Sequence, residues 1–180
     1  MMKNRLLESL HGLKDVRKLI YCALLIALHT VLGMFAGIQV GNSIRISFGY
    51  LATAANAVLL GPVPAAFGAM ITDLLVFLIK PTGPFFPGFT LSAGLGGLIY
   101  GLVLYKRKIS IVRVLLAKLL IDVLVNILLN TLWLKMLYEN AFFALLPARI
   151  LKNLIQYPVD VLLLFPVVRW CASMKPRLKL

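Results

Sequence analysis

The chain ends in two long apolar runs, 109–137 and 146–168, joined by a polar break at Tyr138, Glu139 and Asn140. Each run carries a polar series at helical spacing. In the first, Asp122, Asn126, Asn130 and Trp133 recur at gaps of four, four and three. In the second, Arg149, Asn153, Gln156 and Asp160 recur at gaps of four, three and four. Side chains three and four apart share one face of a helix. The pattern therefore predicts two helices, each apolar around most of its circumference and polar along one stripe. In hydrocarbon such a stripe must face protein, water or a ligand, and the two stripes are expected to face each other.

The same pattern divides the rest of the chain. Residues 1–16 are polar with Leu6, Leu7, Leu10 and Leu13 interspersed, which predicts a short amphipathic helix on the cytoplasmic membrane surface. A first span is expected over 17–36, since crossing a bilayer takes ~20 apolar residues. Residues 37–49 alternate Ile with polar side chains and read as an extended or hairpin-like lid. A short second span is expected over 50–60, a tight Gly-Pro-Val-Pro turn at 61–64, and a third span over 65–79. The prolines and glycines of 80–89 exclude regular helix there. A fourth span, 90–105, is rich in glycine, and Gly97 with Gly101 forms a small-xxx-small pair suited to close helix packing. The two terminal runs complete six helices. The expected class is an all-α membrane protein with six transmembrane helices. It has an N-terminal segment 1–16, a substrate-binding transmembrane domain 17–170 and a basic tail 171–180.

Composition agrees: 61% of the residues are hydrophobic and 14% charged, far from the soluble average. The net charge of +13 points to membrane topology and contact with anionic lipid. It does not point to nucleic acid, because no basic surface with interleaved aromatics is available. Thirteen of the nineteen Lys and Arg residues fall at 1–18, 106–113 and 169–179. The opposite helix ends hold Arg45, Lys80, Lys135, Arg149 and Lys152. Positive charge gathers on the inside, so both termini are expected in the cytoplasm and the loops 37–49, 80–89 and 138–146 outside. Cys22 and Cys171 read as small buried residues. No small-residue cleavage site follows the first run, so a retained helix is expected.

No phosphate-binding Gly-x-x-x-x-Gly-Lys-Ser/Thr loop occurs, nor His-Glu-x-x-His or Gly-x-Ser-x-Gly. These absences argue against an ATPase of that type and against an intramembrane enzyme. No catalytic residue, metal ligand or cofactor is assigned. His11 and His29 lack a cysteine or carboxylate cluster, and His29 reads as packed or cavity-facing. Asn130 and Asn153 each lie ~10 Å below the outer end of their helices at 1.5 Å per residue. With Asn126, Trp133, Arg149, Lys152, Gln156 and Tyr157 they outline an outward-facing polar pocket. Carboxamides match the edge of a heteroaromatic ring, while Trp133 and the phenylalanines of 80–89 offer stacking surfaces. Arg149 and Lys152 would hold carboxylates at the mouth. Asp73, Asp122 and Asp160 leave a stand-alone proton-coupled transporter open, although Asp122 also reaches Lys118 one turn away.

Three stretches resemble the substrate-binding S components of energy-coupling-factor vitamin transporters, and among them the folate-specific type. They are Pro81-Thr-Gly-Pro-Phe-Phe-Pro-Gly-Phe-Thr-Leu-Ser-Ala93, Leu129-Asn-Thr-Leu-Trp-Leu134 and Ala148-Arg-Ile-Leu-Lys-Asn-Leu-Ile155 with Pro158 following. The resemblance implies a multi-pass protein of the bacterial plasma membrane that captures folate from outside. A related vitamin such as thiamine or pantothenate remains an alternative. It implies docking on a transmembrane transducer subunit with two ATP-binding subunits, partly through an Ala-x-x-x-Ala pattern, here Ala23 and Ala27. It further implies that the first outer loop, with Gln39, Asn42 and Arg45, and the 80–89 loop, with Phe86, Gly88 and Phe89, close over the ligand.

Overall fold

The structure is a computed structural model that describes residues 2–35, 38–40, 44–46, 48–81, 84–137 and 142–178; the side chains of 2–5, 11, 38–40, 44–46, 142–146 and 148–149 lie outside the description. The chain runs α1 (Met2–Gly12), α2 (Val16–Phe35), β1 (Ile38–Val40), β2 (Ile44–Ile46), α3 (Gly49–Leu59), α4 (Pro62–Ile79), α5 (Pro87–Leu104), α6 (Ile111–Leu120), a π-helix (Ile121–Leu129), α7 (Asn130–Leu137) and α8 (Phe142–Met174). The expected hairpin-like loop is a two-stranded antiparallel ladder that pairs Gln39 with Arg45.

Among the described residues, four helices are long and apolar enough to cross a membrane: α2, α4, α5 and the Ile150–Met174 part of α8. The second span is short, as expected. With 11 residues, α3 is about 16 Å long at 1.5 Å per residue, against a hydrocarbon core of about 30 Å. It sits at the centre of the bundle, packed on α2, α4, α5 and α8. Its alanines explain this position. Ala52, Ala54, Ala55 and Ala57 are all buried, and small side chains let neighbouring backbones close in.

The expected fifth helix, 109–137, differs from expectation. It starts at Ile111 and changes to π geometry over Ile121–Leu129 before regular α-helix resumes. A π turn spaces its hydrogen bonds five residues apart and widens the helix; here the wide stretch contains Asp122 and Asn126. The fourth helix starts at Pro87, three residues earlier than the loop prolines suggested. Pro87 occupies the first helical position, where the missing N–H costs nothing and the fixed φ favours the helix. The last helix runs to Met174 with Pro147, Pro158 and Pro166 inside it.

Close packing between α4 and α5 holds the bundle together. A Cβ on Gly97 would overlap the Ala65 carbonyl, and one on Gly101 would overlap the Pro62 backbone. The small-xxx-small pair is thus a packing device, as expected. Gly61, at φ 108°, makes the left-handed turn between α3 and α4 that L side chains resist. Cys22 and Cys171 are buried and unbridged.

The amphipathic α1 lies against α4. Its Ser9 is buried and accepts a hydrogen bond from the Val63 N–H at 3.4 Å, satisfying one of the orphan donors at the start of α4. Glu8 pairs with Lys106 just beyond α5. The Lys106 ammonium holds the Glu8 carboxyl below its usual range. Lys175, just beyond α8, donates to the Val58 carbonyl at 3.1 Å and stands 4.0 Å from the centre of the Tyr105 ring. Thus α1 and the ends of α3, α5 and α8 meet at one end of the molecule.

Candidate functional site

Toward the other end, the helices surround a cavity of about 440 Å³. Each polar stripe supplies a wall. Asn126 and Asn130 line it from the π-helix and the start of α7, and Lys152, Asn153 and Gln156 line it from α8. The two series seen in the sequence therefore face each other across a shared space. A third wall comes from α5: Phe89, Ser92, Ala93, Gly96, Gly97 and Tyr100. Among the described residues of the 80–89 loop, expected to close over the ligand, only the last, Phe89, reaches the cavity. His29, Tyr50, Thr53, Ala69 and Asp73 close the remaining side from α2, α3 and α4.

The expected aromatic residues fall into two groups. Phe89 lines the cavity. Phe86, Gly88 and Trp133 line an adjoining apolar recess with Met70, Leu74 and Leu91. The Phe86 and Trp133 rings are 5.6 Å apart, and Gly88 is needed because a Cβ would overlap both. Trp133 is tied to the cavity wall through its indole N–H, which donates to the Ser92 hydroxyl at 2.9 Å. Trp133 therefore supports the wall from behind. Asn42 lies outside the described residues, as do the side chains of Gln39, Arg45 and Arg149. Ala23 and Ala27 are exposed along α2.

Beneath the two stripes lies a buried ion triad. The Lys118 ammonium is 2.8 Å from Asp122 Oδ1 and 2.8 Å from Asp160 Oδ2. The helical spacing foretold the contact with Asp122. The contact with Asp160 is a tertiary one that joins the π-helix region to α8. Each acid also accepts from the carboxamide one turn away. Asn126 Nδ2 donates to Asp122 Oδ1 at 2.8 Å, and Gln156 Nε2 donates to Asp160 Oδ1 at 3.2 Å. Both acids are thus committed to Lys118 and to the cavity amides. Asp73 accepts from the Thr90 hydroxyl at 2.7 Å.

Sequence reasoning missed most of the α5 wall and the cavity-facing role of Asp73. Both left a signal. Phe89, Ala93, Gly96 and Tyr100 recur at gaps of four, three and four, although small residues carry little polar contrast. Asp73 is the one acid in the 18-residue apolar α4, and an intramembrane acid points to a polar interior. His29 faces the cavity with its Nδ1 3.0 Å from the Thr53 hydroxyl. Gly49 makes room for that imidazole, since a Cβ there would overlap the ring. No cluster of metal-ligating side chains occurs among the described residues.

A family model described as ECF-type riboflavin transporter, S component, matches residues 14–172. The chain belongs to the S components of ECF-type transporters. Relatives of this S component include a folate transporter, FolT, of Clostridium novyi. It is 40% identical over 153 residues, covering 85% of this chain and 88% of the relative. A folate transporter FolT of Leuconostoc mesenteroides is 37% identical over 154 residues, covering 82% of each chain. Among solved structures, FolT bound with folic acid superposes with a TM-score of 0.78 at 33% identity, over 86% of this chain and 95% of that one. The members compared are transporter subunits, and their helical membrane fold is the one seen here. The family description names riboflavin, whereas these relatives are named for folate.

Proposed function

We propose that this S component captures folate in the cavity between its two polar stripes and delivers it inward when docked on an ATP-driven transducer. The carrying observation is the lining itself. Asn126, Asn130, Lys152, Asn153 and Gln156 converge on one space from two helices. The acceptors on the residues that line the cavity favour a pterin over a flavin. Asp73 offers a carboxylate, and Asn130 Oδ1 is buried with no hydrogen-bond partner among the described residues. A pterin edge carries an adjacent ring N–H and amino group, two donors in a row. The matching flavin edge has one N–H between two carbonyls, which would set acceptor against acceptor. Phe89 supplies a stacking face, and Lys152 with Arg149 near the start of α8 would hold the acidic tail.

The membrane arrangement follows the same reading. The six spans are α2, α3, α4, α5, the α6–π–α7 stretch and α8, with both termini in the cytoplasm. The excess of Lys and Arg at 1–18, 106–113 and 169–179 supports this orientation, and the cavity then opens outward. The hairpin carrying Gln39, Asn42 and Arg45 acts as a lid together with the Phe86–Phe89 region. The exposed Ala23 and Ala27 face of α2 docks on the transmembrane transducer, whose two ATP-binding subunits supply the energy. The site lies in the bacterial plasma membrane.

Titration of detergent-purified protein with folate and with riboflavin, read by Trp133 fluorescence in a Trp170→Phe variant, tests the ligand. Saturable quenching by folate and none by riboflavin is expected; the reverse would reject folate while leaving the family intact.

A further inference from the structure

The cavity amides do not hang free. A carboxylate can only accept hydrogen bonds, so the amide group that faces it must be NH2. Asn126 turns its Nδ2 to Asp122 at 2.8 Å, and Gln156 turns its Nε2 to Asp160 at 3.2 Å. That fixes the otherwise ambiguous orientation of both amides. In each amide the carbonyl oxygen is then the in-plane atom not bonded to the acid, the one left as an acceptor. The two acids are in turn joined by one cation, since Lys118 lies 2.8 Å from each. Asn126 stands on the π-helix and Gln156 on α8. One buried lysine therefore fixes the relative position of two amides carried by different helices.

We infer that Asp122 and Asp160, bridged by Lys118, are positioning residues for the ligand site: they lock Asn126 and Gln156 so that the cavity presents carbonyl acceptors to the N–H donors of a heteroaromatic ring. The inference rests on the cavity being the ligand site proposed above. A helix-packing role alone would require only that the charges pair. It would not require each acid to hold a cavity amide as well. The burial of the triad explains why the lock is firm. Lys118, Asp122 and Asp160 have side-chain exposures of 6%, 6% and 1%, and in a dry environment charge-assisted hydrogen bonds hold strongly. The ligand class that follows is a planar ring whose edge offers adjacent N–H groups, such as a 2-amino lactam.

The test is a pair of double-mutant cycles on folate affinity in the purified full chain. Asp160→Asn gives Gln156 a neighbour that both donates and accepts, so Gln156 is free to flip. Lys118 keeps Asp122 as its partner, so no uncompensated buried charge is left. Asp160→Asn and Gln156→Met are each expected to raise Kd about ten-fold, the scale of a hydrogen bond to a positioned group. The double variant is also expected to be about ten-fold weaker, because the acid acts through the amide. Asp122→Asn with Asn126→Leu should behave in the same way. Multiplication of the single effects toward a hundred-fold, or an unchanged Kd in Asp160→Asn, would overturn the inference. If Asp160→Asn fails to fold, the Asp122 cycle decides by the same criteria; failure of both acid variants to fold assigns the triad to stability and also overturns it. A wild-type chain that binds no folate defeats the proposed function instead, a separate outcome.

Discussion

At one end of the bundle, Ser9 fills the start of α4, Lys175 lies between the Val58 carbonyl and the Tyr105 ring, and Gly101 lets α5 touch Pro62. At the other, helices of similarly apolar sequence hold apart around about 440 Å³ lined by amides, Asp73 and Lys152. The share of apolar residues does not separate these regions. What differs is where small residues allow backbones to meet and where polar side chains line a space between them. Gly96 and Gly97 show this within one turn of α5. A Cβ on Gly97 would overlap the Ala65 carbonyl, whereas one on Gly96 meets nothing within 4 Å.

The largest effect should come from the charges beneath the cavity. Lys118→Met leaves Asp122 and Asp160 facing each other without a cation. Removing one partner of a buried pair costs about 3–5 kcal/mol, so the melting temperature should fall sharply and folate binding with it. An unchanged melting temperature would mean that the triad does not hold α8 to the π-helix.

The glycine pair gives a smaller and more diagnostic effect. Gly97→Ala should cost about 1–3 kcal/mol through overpacking. Gly96→Ala should be neutral or gain about 0.5–1 kcal/mol from helix propensity, while its methyl group enters the cavity and weakens folate. Thermal melts and titrations of both variants would erase the contrast between packed and open walls if the two behaved alike.

The smallest effect is a pH dependence at the closed end. Burial lowers the Lys175 pKa to about 8, with Lys106 and Lys18 adding to the shift. In an unfolded chain a lysine titrates near ~10.4. Between those values the unfolded chain keeps a proton that the folded one has released, so stability rises with pH across that window. Below about 8 both states are protonated and the burial cost is constant. The melting-temperature difference between wild type and Lys175→Met should therefore shift in favour of wild type from pH 8 to 10. A flat difference would show that Lys175 is solvated.

The amides were legible because helical spacing is a local property. Asn126, Asn130, Asn153 and Gln156 had to share faces, and hydrocarbon leaves a polar face few places to go. The Lys118–Asp122 contact was legible for the same reason. The Lys118–Asp160 contact was not, since it depends on how far α8 slides along α6, and no spacing within one helix sets that distance. The α5 wall was hidden because Ala93 and Gly96 look the same whether they line a cavity or glue helices. The hairpin and the amphipathic α1 were visible as alternation and as leucine spacing.

By itself the sequence determined a helical membrane protein with two polar stripes, close-packing glycines and charge gathered at one set of helix ends. These follow from periodicity and composition, which act residue by residue. Only the tertiary structure decided that the short α3 sits at the centre, that Trp133 supports a wall it does not line, and that the cavity rests on a single lysine shared by two acids. Those features depend on the relative placement of helices, and that placement is set by which small residues let backbones meet.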